Sequence, residues 1–351
     1  MSGRVVTIGN CTLIEGDCEE VAKTLAPVSA VVTDPPYGLE FMGSAWDSEV
    51  PPARVWGAIS GAMLPGAHLL AFAGTRTQHK MATAIETAGF EIRDMISWLY
   101  GTGFPKSRNV GRDVEGMGGW GTALKPACEP VTVARKPITE KSVARQVLAT
   151  GTGAINVDGC RVETEDKIAA TRNIALGSSG SRVYGAASVP GKYEQKPGGR
   201  FPANVVHDGS EEVLAGFPES AGQLAATSTD PSTSKTRQIY GAMAHNPVQS
   251  SPRGDKGSAA RFFYCAKASR KERGAGNNHP TVKPVALMAW LVRLVTPRDG
   301  VVLDPFMGSG TTALAAIQEG RPFVGIERDP DFFDLSVERV RRDTEGGEDA
   351  A

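Results

Sequence analysis

A chain of 351 residues, 40% hydrophobic and 22% charged, is long enough for a large core and about two domains. Its apolar runs fall far short of the roughly 20 residues a membrane span needs, and Met1 to Asn10 lack the basic-then-apolar pattern of a leader, so a cytoplasmic protein with no membrane partner is expected. The formal net charge of −1 conceals a basic middle: residues 101–283 carry 25 Lys/Arg against 16 Asp/Glu, and the two ends together 13 against 23, the division expected when one segment meets a polyanion.

In chain order, "CTLIEGD" (11–17) and "AVVTD" (30–34) read as short strands ending in Asp, with a helix between them over Glu19 to Leu25. "HLLAFAG" (68–74) is a strand, "MATAIETAGF" a helix and "EIRDMISWLYG" a strand, a rhythm that suits a parallel sheet with helices on both faces. From about Asn109 to Asn278 the composition turns to Gly, Ser, Pro, Thr and basic residues. Short strands interrupt it at "EPVTVARKP" and "FPANVVHD", and "LGSSGSRVYG" and "TSTDPSTSKTRQ" read as mobile loops. The alternation then returns. "VALMAWLVRLV" (285–295) is a helix, "GVVLDPF" a strand, "TTALAAIQEG" a helix stopped by Gly320, "PFVGIE" a strand and "DFFDLSVERVRR" a helix. The economical reading is one α/β domain whose halves lie at the two ends of the chain, interrupted by the basic insertion. Cys11, Cys18, Cys128, Cys160 and Cys265 show no CxxC spacing and no nearby histidine pairing, so reduced thiols are expected, with no disulfide framework and no metal.

Two stretches carry chemistry. In "VVLDPFMGSGTTALAA" (301–316) a strand ends at Asp304, a turn holds Gly308 and Gly310, and a helix follows, the layout that binds a nucleotide-like cofactor at the carboxyl ends of strands. The spacing is neither GxGxxG nor a P-loop, which disfavours pyrophosphate and triphosphate ligands. Glu327 ends the next strand, where an acid reaches ribose hydroxyls. In "VVTDPPYGLE" (31–40) two prolines fix the backbone and hold Asp34 extended. The Asp34 carboxylate and the Pro35 carbonyl are acceptors suited to an NH₂ group, and the Tyr37 ring offers a stacking face for a planar base.

Taken together, "TDPPYG", "DPFMGSGTT", "VGIERD" and "HPTVKP" (279–284) resemble the DNA amino-methyltransferases, and their order resembles the β group of that family, while "GTGFPKS" and "KPACEPVTVARKP" are similar to segments of phage and prophage members. The resemblance covers roughly 1–108 and 279–342. It implies a Rossmann-like, S-adenosylmethionine-dependent methyltransferase fold with circularly permuted motif order and an inserted recognition region. The divisions it implies are a catalytic half at 1–108, a target-recognition insertion at 109–278, a cofactor half at 279–342 and a disordered tail at 343–351.

Residue by residue, the resemblance implies that Asp34, Pro35, Pro36 and Tyr37 form the catalytic motif. Asp304, Phe306, Gly308, Ser309, Gly310 and Thr311 would hold the methionine part of S-adenosyl-L-methionine. Glu327 would bind its ribose, Asp17 would lie near its adenine, and Thr281 and Lys283 near its carboxylate. Lys283 has a plainer alternative as an exposed lysine leading into a helix. The implied substrate is double-stranded DNA, modified at a flipped base as in restriction-modification, with a homodimer left open. Asp at the first motif position favours adenine N6. The alternatives are cytosine N4, an RNA or protein-amide methyltransferase, or a catalytically silent DNA-binding protein. Phe41, Trp46, Trp98, Lys106 and Arg108 are secondary candidates for touching DNA, and His68 and His79 carry no assigned role.

Overall fold

A computed structural model describes residues 3–39, 47–101, 103, 107–164, 172–174, 189–191, 199–220, 257–266 and 282–348. The chain begins with β1 (Val5–Ile8), β2 (Cys11–Glu15), α1 (Cys18–Ala22), β3 (Val28–Thr33), α2 (Ala53–Gly61), β4 (Met63–Phe72), α3 (Gln78–Thr87), β5 (Glu91–Leu99), β6 (Cys128–Arg135) and α4 (Val143–Thr150). The middle contributes β7 (Arg172–Ile174), β8 (Val189–Gly191), β9 (Val205–His207), α5 (Glu211–Gly216), β10 (Glu219–Ser220), β11 (Gly257–Ser258) and β12 (Tyr264–Cys265). The end supplies α6 (Val285–Val295), β13 (Val302–Asp304), α7 (Thr311–Gln318), β14 (Phe323–Glu327) and α8 (Pro330–Glu348).

Ten strands form one sheet in the order β1-β2-β14-β13-β3-β4-β6-β5-β9-β12. From β2 to β4 all neighbours are parallel. Every residue of β3, VSAVVT, is buried, as expected of a parallel strand covered on both faces. Alternation along the strands sorts the core. Ala30, Val32, Leu70 and Phe72 pack with α6 and α7 on one face, while Val31, Leu69 and Ala71 pack with α2 and α3 on the other. The crossover from β3 to β4 therefore lies on the face opposite to the crossover from β13 to β14. The boundary between β13 and β3 is thus a topological switch point, where open α/β sheets leave a crevice at the carboxyl ends of their strands.

The sheet differs from the expected parallel one in being mixed. β6 runs antiparallel to both β4 and β5, and β1 is antiparallel to β2. β5 and β6 follow one another in the chain and pair side by side, with no α-helix among the described residues between them, as antiparallel neighbours allow. β6 and β9 also lie within the stretch 109–278 that the sequence reading gives to the insertion. Their runs of buried apolar residues, Val131 and Val206 among them, join the main core instead. Helix α8 continues to Glu348, past the expected start of a tail at residue 343, and Thr344 bonds back to the Val340 carbonyl at 2.8 Å.

The chain divides into two compact units. One is Met1–Cys160, Pro202–Leu214 and Phe263–Ala351, and the other Arg161–Phe201 with Ala215–Phe262. The second unit contains the short antiparallel pairs β7–β8 and β10–β11. The Arg200 and Arg261 guanidinium groups both lie over the Phe262 ring, at 4.6 and 4.3 Å. The two predicted mobile loops fall outside the described residues. All five cysteines are free, and no described helix is long and apolar enough to cross a membrane.

Candidate active site

The carboxyl ends of β2, β14, β13 and β3 lie side by side in the sheet, and each is followed or closed by an acid: Asp17, Glu327, Asp304 and Asp34. All four line one cavity of about 720 Å³, within the range of roughly 300–1,000 Å³ common for small-molecule sites.

On the β13 and β14 side, the acids organise backbone. Asp304 is 2% exposed. Its Oδ1 accepts from the Thr33 hydroxyl at 2.6 Å and the Phe306 N–H at 3.1 Å, and its Oδ2 from the Thr312 hydroxyl at 2.5 Å. Burial pushes this carboxyl up to about 6, against the downward pull of those three donors. Glu327 accepts from the Gly308 N–H and the Asp329 N–H, both at 2.8 Å, and burial holds it above the ordinary carboxylate range. The loop between needs its glycines, since Gly308 has φ 53° and Gly310, capping α7, has φ 80°. Arg339 of α8 donates to the Ser309 carbonyl at 2.6 Å, the Ser309 hydroxyl at 2.8 Å and the Thr311 hydroxyl at 3.3 Å, which ties the turn to the helix behind it. Phe306 packs edge-on against Trp56. Asp17 caps α1 by accepting from the Glu19 N–H at 2.9 Å, and Gly16 bonds to the Glu327 carbonyl, joining the ends of β2 and β14.

On the β3 side, charge organises the site. Asp34 Oδ2 lies 2.6 Å from the Lys283 ammonium, and Asp34 Oδ1 accepts from the Tyr37 hydroxyl at 2.7 Å. Glu129, at the start of β6, brings Oε2 within 3.0 Å of the same hydroxyl and 3.1 Å of the same ammonium. Burial alone would lower the Lys283 pKa, but Asp34 and Glu129 reverse that and hold it above the ordinary lysine range. Burial first, and then the two carboxylates, push the Tyr37 phenol well above its usual value, so it remains a neutral hydroxyl. Asp47, 2% exposed, accepts from the backbone N–H groups of Tyr37, Gly38 and Leu39 at 2.6, 2.9 and 3.3 Å and fixes the loop that presents the ring. Pro35 and Pro36 line the same cavity.

The structure therefore brings into or around one cavity every site residue of the sequence reading except Thr281, which lies outside the described residues. Lys283 is 6% exposed, not the exposed lysine of its plainer reading, and its bonds go to the β3-side carboxylates. Trp98 is buried and packs against Tyr100, with no face left for DNA. Arg108 pairs with Asp113. Phe41, Trp46 and Lys106 lie outside the described residues. Sequence reasoning missed Glu129 and Asp47. Glu129 stands within the quoted "KPACEPVTVARKP", and a lone acid opening a strand was the available signal.

The sequence profile of a family described as DNA methylase, N6_N4_Mtase, matches residues 28–338. The Type II methyltransferase M.ScaI of Streptomyces caespitosus is 38% identical over 105 residues, which are 30% of this chain and 33% of that protein. The Type II methyltransferase M.BglI of Bacillus subtilis is 45% identical over 82 residues, 23% of this chain and 22% of that protein. These matches span a third or less of the curated relatives' length. A crystal structure of an M1.HpyAVI–SAM complex aligns over 94% of this chain and 99% of its own, with 17% identity and a TM-score of 0.44.

Proposed function

Because the chain belongs to the DNA methylase family N6_N4_Mtase, we propose that it transfers a methyl group from S-adenosylmethionine to the N6 amino group of an adenine flipped out of double-stranded DNA. The observation that carries this reading is the single cavity shared by Asp34 and Tyr37 on one side and by Asp304, the Phe306–Thr311 turn and Glu327 on the other.

The residues present fit the cofactor. Glu327 keeps acceptor capacity for ribose hydroxyls, because the backbone N–H groups of Gly308, Arg328 and Asp329 take about three of a carboxylate's roughly four lone-pair sites. Asp17, one strand away, is placed for the adenine end, and the glycines at 308 and 310 keep the turn free of side chains where a ligand approaches. Phe306, Ser309 and Thr311 shape the methionine end, with Asp304 holding the Phe306 N–H and Arg339 holding Ser309 and Thr311. When bound, the cofactor supplies an electrophilic methyl on a sulfonium.

Asp34 and the Pro35 carbonyl accept the two hydrogens of the exocyclic amine. This draws electron density from the base ring onto nitrogen and aims its lone pair along the transfer direction. The Tyr37 ring, held by Asp47, stacks on the base. Extrusion of the base costs a few kcal/mol of unstacking. The second compact unit and its flanking basic stretches, within 109–278, read the recognition sequence on this proposal.

The experiment is incubation with labelled S-adenosylmethionine and DNA made by whole-genome amplification, followed by digestion to nucleosides and mass spectrometry. N6-methyladenine is expected. N4-methylcytosine in its place overturns the choice of base and leaves amine methylation standing, whereas unlabelled DNA overturns the reading as a whole.

A further inference from the structure

The Tyr37 hydroxyl carries one hydrogen and faces two carboxylates, Asp34 Oδ1 at 2.7 Å and Glu129 Oε2 at 3.0 Å. Lys283, with three hydrogens to donate, serves both acids at once, but the phenol cannot give a full hydrogen bond to both. In the arrangement observed, the phenol donates to one oxygen of Asp34 and the ammonium lies on the other, so an arriving amine has to share Oδ1 with the phenol. That is an unfavourable starting point for a carboxylate whose proposed task is to receive an amine. Glu129 does not come from the motif that carries Asp34 and Tyr37. It arrives from β6, on an element that the sheet places two strands away from β3.

Resting on the methyltransferase reading above, we propose that Glu129 is a positioning residue that takes over the Tyr37 hydroxyl when the base amine arrives, and so frees Asp34 Oδ1 to accept the amine hydrogen. The hand-over needs only rotation of the hydroxyl about its C–O bond. The ring stays where Asp47 and the backbone hold it, against Gly74 on the far side. No heavy atom has to move and no proton changes its owner. Without Glu129 the arriving amine displaces a buried hydroxyl that then has no acceptor, a loss of the kind that costs roughly 10- to 100-fold in rate. Lys283 keeps the two carboxylates on one centre throughout, so the acceptor that is losing the phenol and the one gaining it remain in register.

The test is a double-mutant cycle on the full chain, with methyl transfer to amplified DNA read as kcat and KM and with S-adenosylmethionine affinity measured by calorimetry. Glu129→Ala is expected to lower kcat by roughly 10- to 100-fold with cofactor affinity unchanged. In Tyr37→Phe, which keeps the stacking ring and has no hydroxyl to re-home, the same substitution is expected to cost less than about threefold. Glu129→Gln retains an acceptor oxygen and is expected to stay within about threefold of the native enzyme, and it also serves if the alanine variant does not fold. Equal losses from Glu129→Ala in the Tyr and Phe backgrounds overturn the hand-over. So does a loss beyond about tenfold in Glu129→Gln, because that would make the charge and not the acceptor the working feature. If the native protein transfers no methyl to DNA, it is the reading of the function that fails, and the hand-over with it.

Discussion

Asp304 and Asp34 stand at the ends of neighbouring strands, yet the two halves of the cavity treat their acids in opposite ways. Asp304 is enclosed by neutral donors, two threonine hydroxyls and a backbone N–H, with no cation among its bonded partners. Asp34 is bonded to a buried ammonium and a phenol, with a second carboxylate alongside. The first arrangement fixes a turn, and the second gathers three charged groups around one phenol. The contrast teaches that an acid at a strand end has no set meaning until its donors are known: neutral donors mark scaffold, and a shared cation marks a place where charge is managed.

The largest effect that distinguishes the halves is expected from Asp34→Ala. Methyl transfer to DNA should fall by at least about 10³-fold, because the acceptor proposed for the reacting nitrogen is removed. S-adenosylmethionine binding, read by calorimetry, should stay intact. Loss of cofactor affinity in this variant would erase the distinction between the two sides. Lys283→Met is expected to cost roughly 3–5 kcal/mol of stability in denaturant melts, since it strands Asp34 and Glu129 without their common cation. A loss under about 1 kcal/mol would show the pair to be effectively solvated.

A pH series sharpens the Asp304 side. Its carboxyl is raised from 3.8 to about 6, so the folded state takes up a proton between those values that the unfolded chain does not. The stability from this group is therefore complete below the unfolded value and is lost as pH rises through about 6. Asp304→Asn cannot titrate. The native protein should gain about 2 kcal/mol relative to that variant as pH falls from 7 to 4, and a constant difference across the range would contradict the burial account. The smallest effect is expected from Gly310→Ala, at about 1–2 kcal/mol, because an L side chain would have to adopt the left-handed conformation there. The added Cβ would also lie 3.2 Å from that of Ser336.

Much of this arrangement was legible because short motifs carry their own geometry. The pattern of a strand, an acid and then glycines or prolines named Asp34, Tyr37, Asp304 and Glu327 directly, and the period of "VALMAWLVRLV" delimits α6 at Val285–Val295 as the structure does. Partners that arrive from elsewhere in the sheet were not legible. Glu129 becomes a neighbour of Asp34 only through the pairing of β6 with β4, and nothing local in "ACEPV" announces that register. Lys283 was read from the resemblance as lying near the cofactor carboxylate, with an exposed lysine as the plainer alternative, and neither reading foresaw the two carboxylates that account for its burial. Asp47 follows a stretch outside the described residues, and its three backbone bonds depend on a loop closing over ten positions. β6 was recognised as a strand but assigned to the insertion, since the Gly- and Pro-rich surroundings masked its place in the core.

The position of β13 between β14 and β3 also governs how the protein can be made. Thr33 and its partner Asp304 are 271 positions apart, so when β3 leaves the ribosome the strand that will cover its inner edge has yet to be synthesised. Until then VSAVVT, an uncharged and β-branched segment, presents an open row of backbone donors and acceptors, the kind of template on which chains join one another. Closure of the sheet centre is a late event with long-range contacts throughout, which makes folding slow relative to a protein of local contacts. A fragment ending at Cys160 would keep that edge permanently open. It should aggregate where the full chain stays dispersed, and supplying residues 282–348 as a separate polypeptide should relieve it.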